Sequence, residues 1–258
     1  MQLKTEFLPE ATRKLFGRLS NEPLLQGFVL VGGSALALQI GHRLSEDLDF
    51  TCLAESLPAG RVNALAATLE KEGHSVILTT PQSQITSFRI NAGKNLLDYA
   101  RDYAVEGAKL TFFARGANNP KVQLDKLQSE AVAIPPASFK IMGLDGLFAM
   151  KMLVLGDRAR SRDLFDLMIL IRDHGYSIDK GFELVHKLAP IEKRDIERHK
   201  GIMTGIIALD QDDEGFESLG LKIEMVEIYA FFDTILTDHE MRVAMRILAE
   251  RPRTDQKS

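Results

Sequence analysis

Short apolar runs alternate with helical stretches in the first half of the chain, and helical periodicity dominates the second. Phe28-Val29-Leu30-Val31 is an unbroken apolar run bounded by Gly27 and Gly32-Gly33, which fits a buried strand. The stretch 35–40 predicts a helix that Ser34 can cap and Gly41 can end. From Asp47 to Leu53 polar and apolar residues alternate, as in a strand with one face in the core and the other wet or functional. A helix is expected over 61–71, closed by Gly73. Strands are expected at 76–78 and 85–90. The runs 103–105 and 108–113, joined by Glu106-Gly107, predict a hairpin.

Pro135-Pro136 separates this half from the remainder of the chain. Helices are expected over 144–155, ending at Gly156, and over 161–174, with Ser161 as cap and Gly175 as stop. Further helices are expected over 182–188, 221–236 and 238–249. The pattern predicts an α/β (α+β) catalytic part over residues 1–136 and a helical part over 137–258.

Composition narrows the class. The chain has 258 residues, 45% hydrophobic and 26% charged, which is ordinary for a globular protein. A net charge of −4 gives no overall basic signature of nucleic-acid binding, although a local basic patch remains compatible with it. Cys52 is the lone cysteine, so an internal disulfide is excluded and a reducing, cytoplasmic setting is expected. No apolar run reaches the ~18–20 residues that span a bilayer, and the first residues lack the apolar core of a secretory signal. Residues 251–258 are polar and expected to fray.

The chemistry concentrates in Val31-Gly32-Gly33-Ser34 and Asp47-Leu48-Asp49-Phe50. Alternate strand residues share a face, so Asp47 and Asp49 place two carboxylates on one side with α-carbons ~6–7 Å apart. Leu48 and Phe50 then point into the core, and Cys52 with them. Two adjacent carboxylates repel, and a divalent cation such as magnesium relieves that repulsion. Glycines permit close approach of backbone to phosphate, and the start of the next helix presents free N–H groups and a positive dipole end. The chain carries no Gly-Lys-Ser/Thr, so this is not a P-loop.

Gly33-Ser34 followed by Asp47-Leu48-Asp49-Phe50 resembles the signature of the DNA polymerase β-like nucleotidyltransferase superfamily. The longer string from Val31 to Phe50 is similar to the AbiEii/AbiGii toxin family. A second block, Lys151, Arg158, Arg160 and Arg162-Asp163-Leu164-Phe165-Asp166-Leu167, resembles another motif of that family. The resemblance implies the nucleotidyltransferase fold, a mixed sheet with flanking helices followed by a helical region that completes the active site. It implies Asp47 and Asp49 as catalytic metal ligands for Mg2+, and Gly32, Gly33 and Ser34 as the triphosphate cradle. Lys151 would neutralise phosphate charge, and Asp163 would be a further catalytic carboxylate. It also implies a nucleoside triphosphate substrate, a transfer RNA acceptor in some members, and a cognate antitoxin partner.

The superfamily usually carries a third carboxylate on a later strand, where this chain has Thr111; Asp98, Asp102 and Glu106 are the nearby substitutes. Two other readings therefore stay open: an inactive homologue that works by binding a partner, and a transferase with a small-molecule acceptor. Plainer roles stand beside the functional ones. Ser34 can be a simple helix cap, Lys151 can snorkel to solvent, and Asp163, Asp166 and Arg162 can form a surface ion-pair network. Arg43 can meet phosphate or face water. His42 has no second histidine at ligand spacing. Met142, Met150 and Met152 read as packing.

Overall fold

The structure is a computed structural model that describes residues 2–115, 131–189, 194–211, 215–216 and 221–250. The expectation for residues 251–258 lies outside them. The strands are β1 (Val29–Val31), β2 (Asp47–Cys52), β3 (Val76–Leu78), β4 (Ala100–Val105), β5 (Ala108–Ala114), β6 (Val132–Ala133) and β7 (Lys140–Ile141). They form one mixed sheet in the order β3-β4-β5-β2-β1-β7-β6. The pairs β2–β5 and β1–β7 are parallel, and the other neighbours are antiparallel. The last strand lies beyond Pro135-Pro136, so the sheet extends past that point in the sequence.

Helices α1 (Glu10–Ser20), α2 (Gly32–Ile40), α3 (Ala59–Lys71) and α4 (Gln82–Ala92) belong to the first half. Helices α5 (Leu144–Leu155), α6 (Ser161–Asp173), α7 (Ile178–Leu188), α8 (Ile196–Met203) and α9 (Met225–Glu250) make up the second. None of the described helices is long and apolar enough to cross a membrane.

The alternation in β2 sets the geometry. Leu48 and Phe50 are fully buried, and Phe50 packs on Phe112 of β5 and Phe139, with ring centroids 5.7 and 4.9 Å away. Cys52 is buried with them. The opposite face of β2 is therefore left to Asp47 and Asp49. Helix α5 is apolar and buried on almost every side, so Lys151 enters the interior with it. Met142 and Met152 pack in the same core, and Met150 is partly buried against it.

The hairpin forms as expected, with Glu106 and Gly107 both at positive φ, the conformation a two-residue turn of this kind requires. Several expectations are corrected. Residues 85–90 lie in α4, not in a strand. Ile85 and Phe88 are three apart and share a helix face, while Ile90, which suggests a strand in the sequence, is 77% exposed. Helix α9 runs unbroken through Thr237-Asp238. Ile228, Phe232 and Leu236 pack at four-residue spacing, and His239 and Arg242 hold the next turn to Asp179 at 2.7 and 2.6 Å. Helix α8 has no counterpart among the expected elements; Asp195 caps it by accepting from the Arg198 N–H at 2.9 Å. Ser161 is the first helical residue of α6 and Arg160 its cap.

Candidate active site

Strand β1 runs directly into α2, which begins at Gly32. Gly32 has φ +75°, and a Cβ there would sit 2.6 Å from Asp49 Oδ2. A Cβ on Gly33 would sit 2.7 Å from Arg43 Nη2 and 2.9 Å from Ser45 Oγ. The two glycines thus let the turn lie directly against an acid and a guanidinium. Ser34 is not the cap. Val31 holds that position with no side-chain bond, because the helix starts earlier than its apolar pattern suggests. The Ser34 hydroxyl is buried, donates to the Asp47 carbonyl, and lies 3.0 Å from Ser45 Oγ. It staples α2 to the start of the acidic strand, behind the glycines.

Asp47 and Asp49 line one cavity of about 610 Å³ together with Gly32 and Gly33. Asp47 Oδ2 is 3.8 Å from Lys109 Nζ, its register partner on β5. Asp49 is partly buried and faces the cavity. Burial, then the neighbouring Asp47 charge, push its carboxyl up to about 6. Thr111 pairs with Asp49 on one side and Asp102 on the other, and its hydroxyl donates to Asp102 Oδ1 at 3.0 Å. Asp102 lines the same cavity. Of the three substitutes for the carboxylate missing at Thr111, Asp102 is therefore the one at the site. Asp98 sits in the turn before β4, and Glu106 is in the β4–β5 turn, accepting from the Ser75 N–H at 2.6 Å.

The helical half closes the cavity. Lys151 is buried between two carboxylates, with Nζ 2.6 Å from both Asp163 Oδ1 and Asp166 Oδ2. Arg158 also reaches Asp163, at 3.0 Å. Asp166 further accepts from Arg43 Nε at 2.6 Å and Nη2 at 2.9 Å, and lies 2.7 Å from His42 Nε2. Neither a snorkelling Lys151 nor a surface ion-pair network describes this cluster. Lys151, Asp163, Asp166 and Arg43 are all buried, so Arg43 does not face water. Burial opposes the charge on Asp163, but Lys151 and Arg158 outweigh it and hold the carboxyl below its ordinary range. Burial likewise opposes Asp166, and Arg43 with Lys151 holds it well below. Burial pushes the His42 imidazole down, against Asp166.

Lys151, Asp163 and Arg43 line the cavity with Asp47, Asp49, Gly32 and Gly33, so one space gathers nearly all the residues singled out in the sequence. Ser34 lies behind it. Lys109, Ser45 and the reach of Arg43 are not evident from the sequence pattern. The signal is faint: Arg43 and Ser45 alternate just ahead of the acidic strand. Cations and carboxylates are nearly balanced around the cavity, with Arg43, Lys109, Lys151, Arg158, Arg160 and Arg162 against Asp47, Asp49, Asp102, Asp157 and Asp163. The donor set suits magnesium. Among the described residues no cluster of three or more ligating side chains forms a closed cage, and magnesium is typically held by one or two carboxylates plus phosphate oxygens and water.

A mixed sheet whose acidic strand faces a glycine turn, with a lysine-bearing helix closing the cavity, is the architecture of a nucleotidyltransferase. Residues 13–242 match the profile of the family described as "Nucleotidyl transferase AbiEii toxin, Type IV TA system", and the chain belongs to that family. It is 23% identical over 183 residues to the uncharacterised protein aq_aa25 of Aquifex aeolicus (strain VF5), covering 70% of this chain and 75% of that one. Similar solved structures include JHP933 from Helicobacter pylori, at 19% identity and TM-score 0.48, covering 94% of this chain and all of that one. MenT4, the nucleotidyltransferase toxin Rv2826c from Mycobacterium tuberculosis H37Rv, is 13% identical with TM-score 0.43, covering 90% and 88%.

Proposed function

We propose that this nucleotidyltransferase toxin binds a magnesium–nucleoside triphosphate in the cavity between β2 and α5 and transfers the nucleotidyl group to an RNA acceptor. The observation that carries the reading is the convergence of Gly32-Gly33, Asp47/Asp49 and Lys151 on one space, although Lys151 comes from the far part of the chain. Asp47 and Asp49 would hold Mg2+, which when bound neutralises phosphate charge and organises the reacting oxygens. The near balance of charge around the cavity supports a metal-bound triphosphate over a bare one.

The backbone N–H groups of Gly32 and Gly33 at the start of α2, which line the cavity, would bind the phosphates. Lys151 supplies positive charge at the cavity floor, and Asp163 fixes its direction. Asp102 carries no cation among its described contacts and is placed to accept the proton of the attacking hydroxyl. In the reaction that hydroxyl oxygen bonds to the α-phosphorus, the bond to the β-phosphate bridge breaks, and pyrophosphate leaves with the electron pair. The inactive-homologue reading loses its main support, since Asp102 lies level with Thr111.

Arg158, Arg160 and Arg162 line the cavity and offer positive charge to a phosphodiester backbone, which favours RNA over a small neutral acceptor; the family resemblance makes transfer RNA the first RNA to test. Residues 1–136 and 137–258 act as the two walls of the cleft. A cognate antitoxin would be the physiological partner, and a nucleotide substrate with a lone buried Cys52 fits a cytoplasmic setting.

The test is incubation of purified protein with each α-labelled triphosphate, magnesium, and in turn purified transfer RNA, ribosomal RNA or an aminoglycoside. Label on transfer RNA supports the reading. Label on the aminoglycoside alone overturns the RNA acceptor, and label on none overturns the transfer reaction.

A further inference from the structure

Asp166 does not line the cavity, yet it governs what does. Its carboxylate is completely buried behind the floor, and donors from two separate segments converge on it. Arg43 and His42 come from the loop between α2 and β2, and Lys151 from α5, at 2.6 to 2.9 Å. Arg43 Nη2, which bonds Asp166 Oδ2, is also the atom that a Cβ on Gly33 would meet at 2.7 Å. One carboxylate therefore ties the phosphate-facing turn, through Arg43, to the lysine of the opposite wall.

We propose that Asp166 is a positioning residue that fixes Lys151 and Arg43 in register with the Gly32-Gly33 turn. The triphosphate then meets cations whose places are already set. This rests on the triphosphate reading of the cavity. Preset cations matter because groups held in place before the ligand arrives need no reorganisation when it binds.

Electrostatics alone predicts the opposite outcome on substitution. Removing the negative charge behind Lys151 leaves the floor more positive and should tighten anion binding. Positioning predicts weaker binding, and weaker binding that depends on Lys151. The sign of the effect therefore separates the two.

The experiment measures the affinity of the full-length protein for magnesium complexes of non-hydrolysable triphosphate analogues. Asp166→Asn keeps the side-chain shape, and its affinity is expected to fall on the order of tenfold, with the fall absent or much reduced in a Lys151→Met background. A merely structural loss would lower affinity by the same factor in both backgrounds. Equal loss in both, or unchanged or increased affinity in Asp166→Asn, overturns the proposal. If Asp166→Asn lacks native circular dichroism, Arg43→Lys replaces it in the same cycle, because lysine cannot span both Asp166 oxygens as the guanidinium does. Wild-type protein that binds none of the analogues would overturn the triphosphate reading, and this inference with it. Binding by wild type with an additive cycle overturns Asp166 positioning alone.

Discussion

Gly32 lies so close to Asp49 that a single added methyl carbon would stand 2.6 Å from the Asp49 carboxylate oxygen. Its φ of +75° also disfavours any side chain. Gly32→Ala is therefore expected to destabilise the fold by about 1–3 kcal/mol and to displace Asp49 from the cavity. Denaturant midpoints and transfer activity should both drop. An alanine variant with native stability and full activity would show that the turn does not press against the acid.

Asp49 gives a pH signature. Its folded-state carboxyl sits at about 6, above its ordinary 3.8. Keeping it ionised thus costs the metal-free fold stability above pH about 6, and this cost vanishes as pH falls through 6 toward 3.8. On the proposed reading, magnesium binds the ionised form. Its apparent affinity should be nearly flat above pH about 6 and weaken below it, approaching tenfold per pH unit once the unligated carboxyl is protonated. Thermal shifts on adding magnesium at pH 7.5 and pH 5 check this. A shift of equal size at both values would contradict it.

Asp163 and Asp166 work in the other direction. Both are held below their ordinary range, so the stability they contribute is fully present above the usual carboxylate range and is lost as pH falls through their lowered folded values. Their contribution should begin to fall as pH drops through the ordinary carboxylate range and be gone below their lowered folded values. Asp166→Ala, which leaves Arg43 and Lys151 buried with one fewer counter-charge, should lose about 3–5 kcal/mol at neutral pH. Urea titration reads the loss, and a change within error would mean that the cluster is solvated in solution.

Asp102 and Thr111 separate proton transfer from binding. Asp102→Asn is expected to slow transfer by about 10²–10⁴-fold, with nucleotide affinity little changed. Thr111→Val, which removes the hydroxyl bonded to Asp102, should slow transfer by a smaller factor without abolishing activity. Parallel losses of affinity and rate in both variants would assign the pair to the scaffold.

Much of this is legible in the sequence where periodicity and chemistry agree. The alternation from Asp47 to Cys52 decides which side chains face the core and which face the cavity. Gly32-Gly33 marks a turn because side chains there would collide. Lys151 is visible as a charge within an apolar helix, but the reason for its burial is not, since Asp163 and Asp166, which pair with it, come from the next helix, and Arg43, which shares Asp166, comes from a loop more than a hundred residues away. Asp102 is one of three indistinguishable acids until strand register puts it beside Thr111. Ser34 misleads because a serine after two glycines looks like a cap, whereas its hydroxyl is committed to the Asp47 carbonyl. Segment 85–90 misleads because an exposed isoleucine imitates a strand position.

The most direct test of the central claim compares transfer of label from α- and γ-labelled triphosphates to RNA, by wild type and by Asp49→Asn. Label is expected on the acceptor from the α-position only, with magnesium dependence and loss of the product in Asp49→Asn. Label from the γ-position, or undiminished transfer by Asp49→Asn, would contradict that claim.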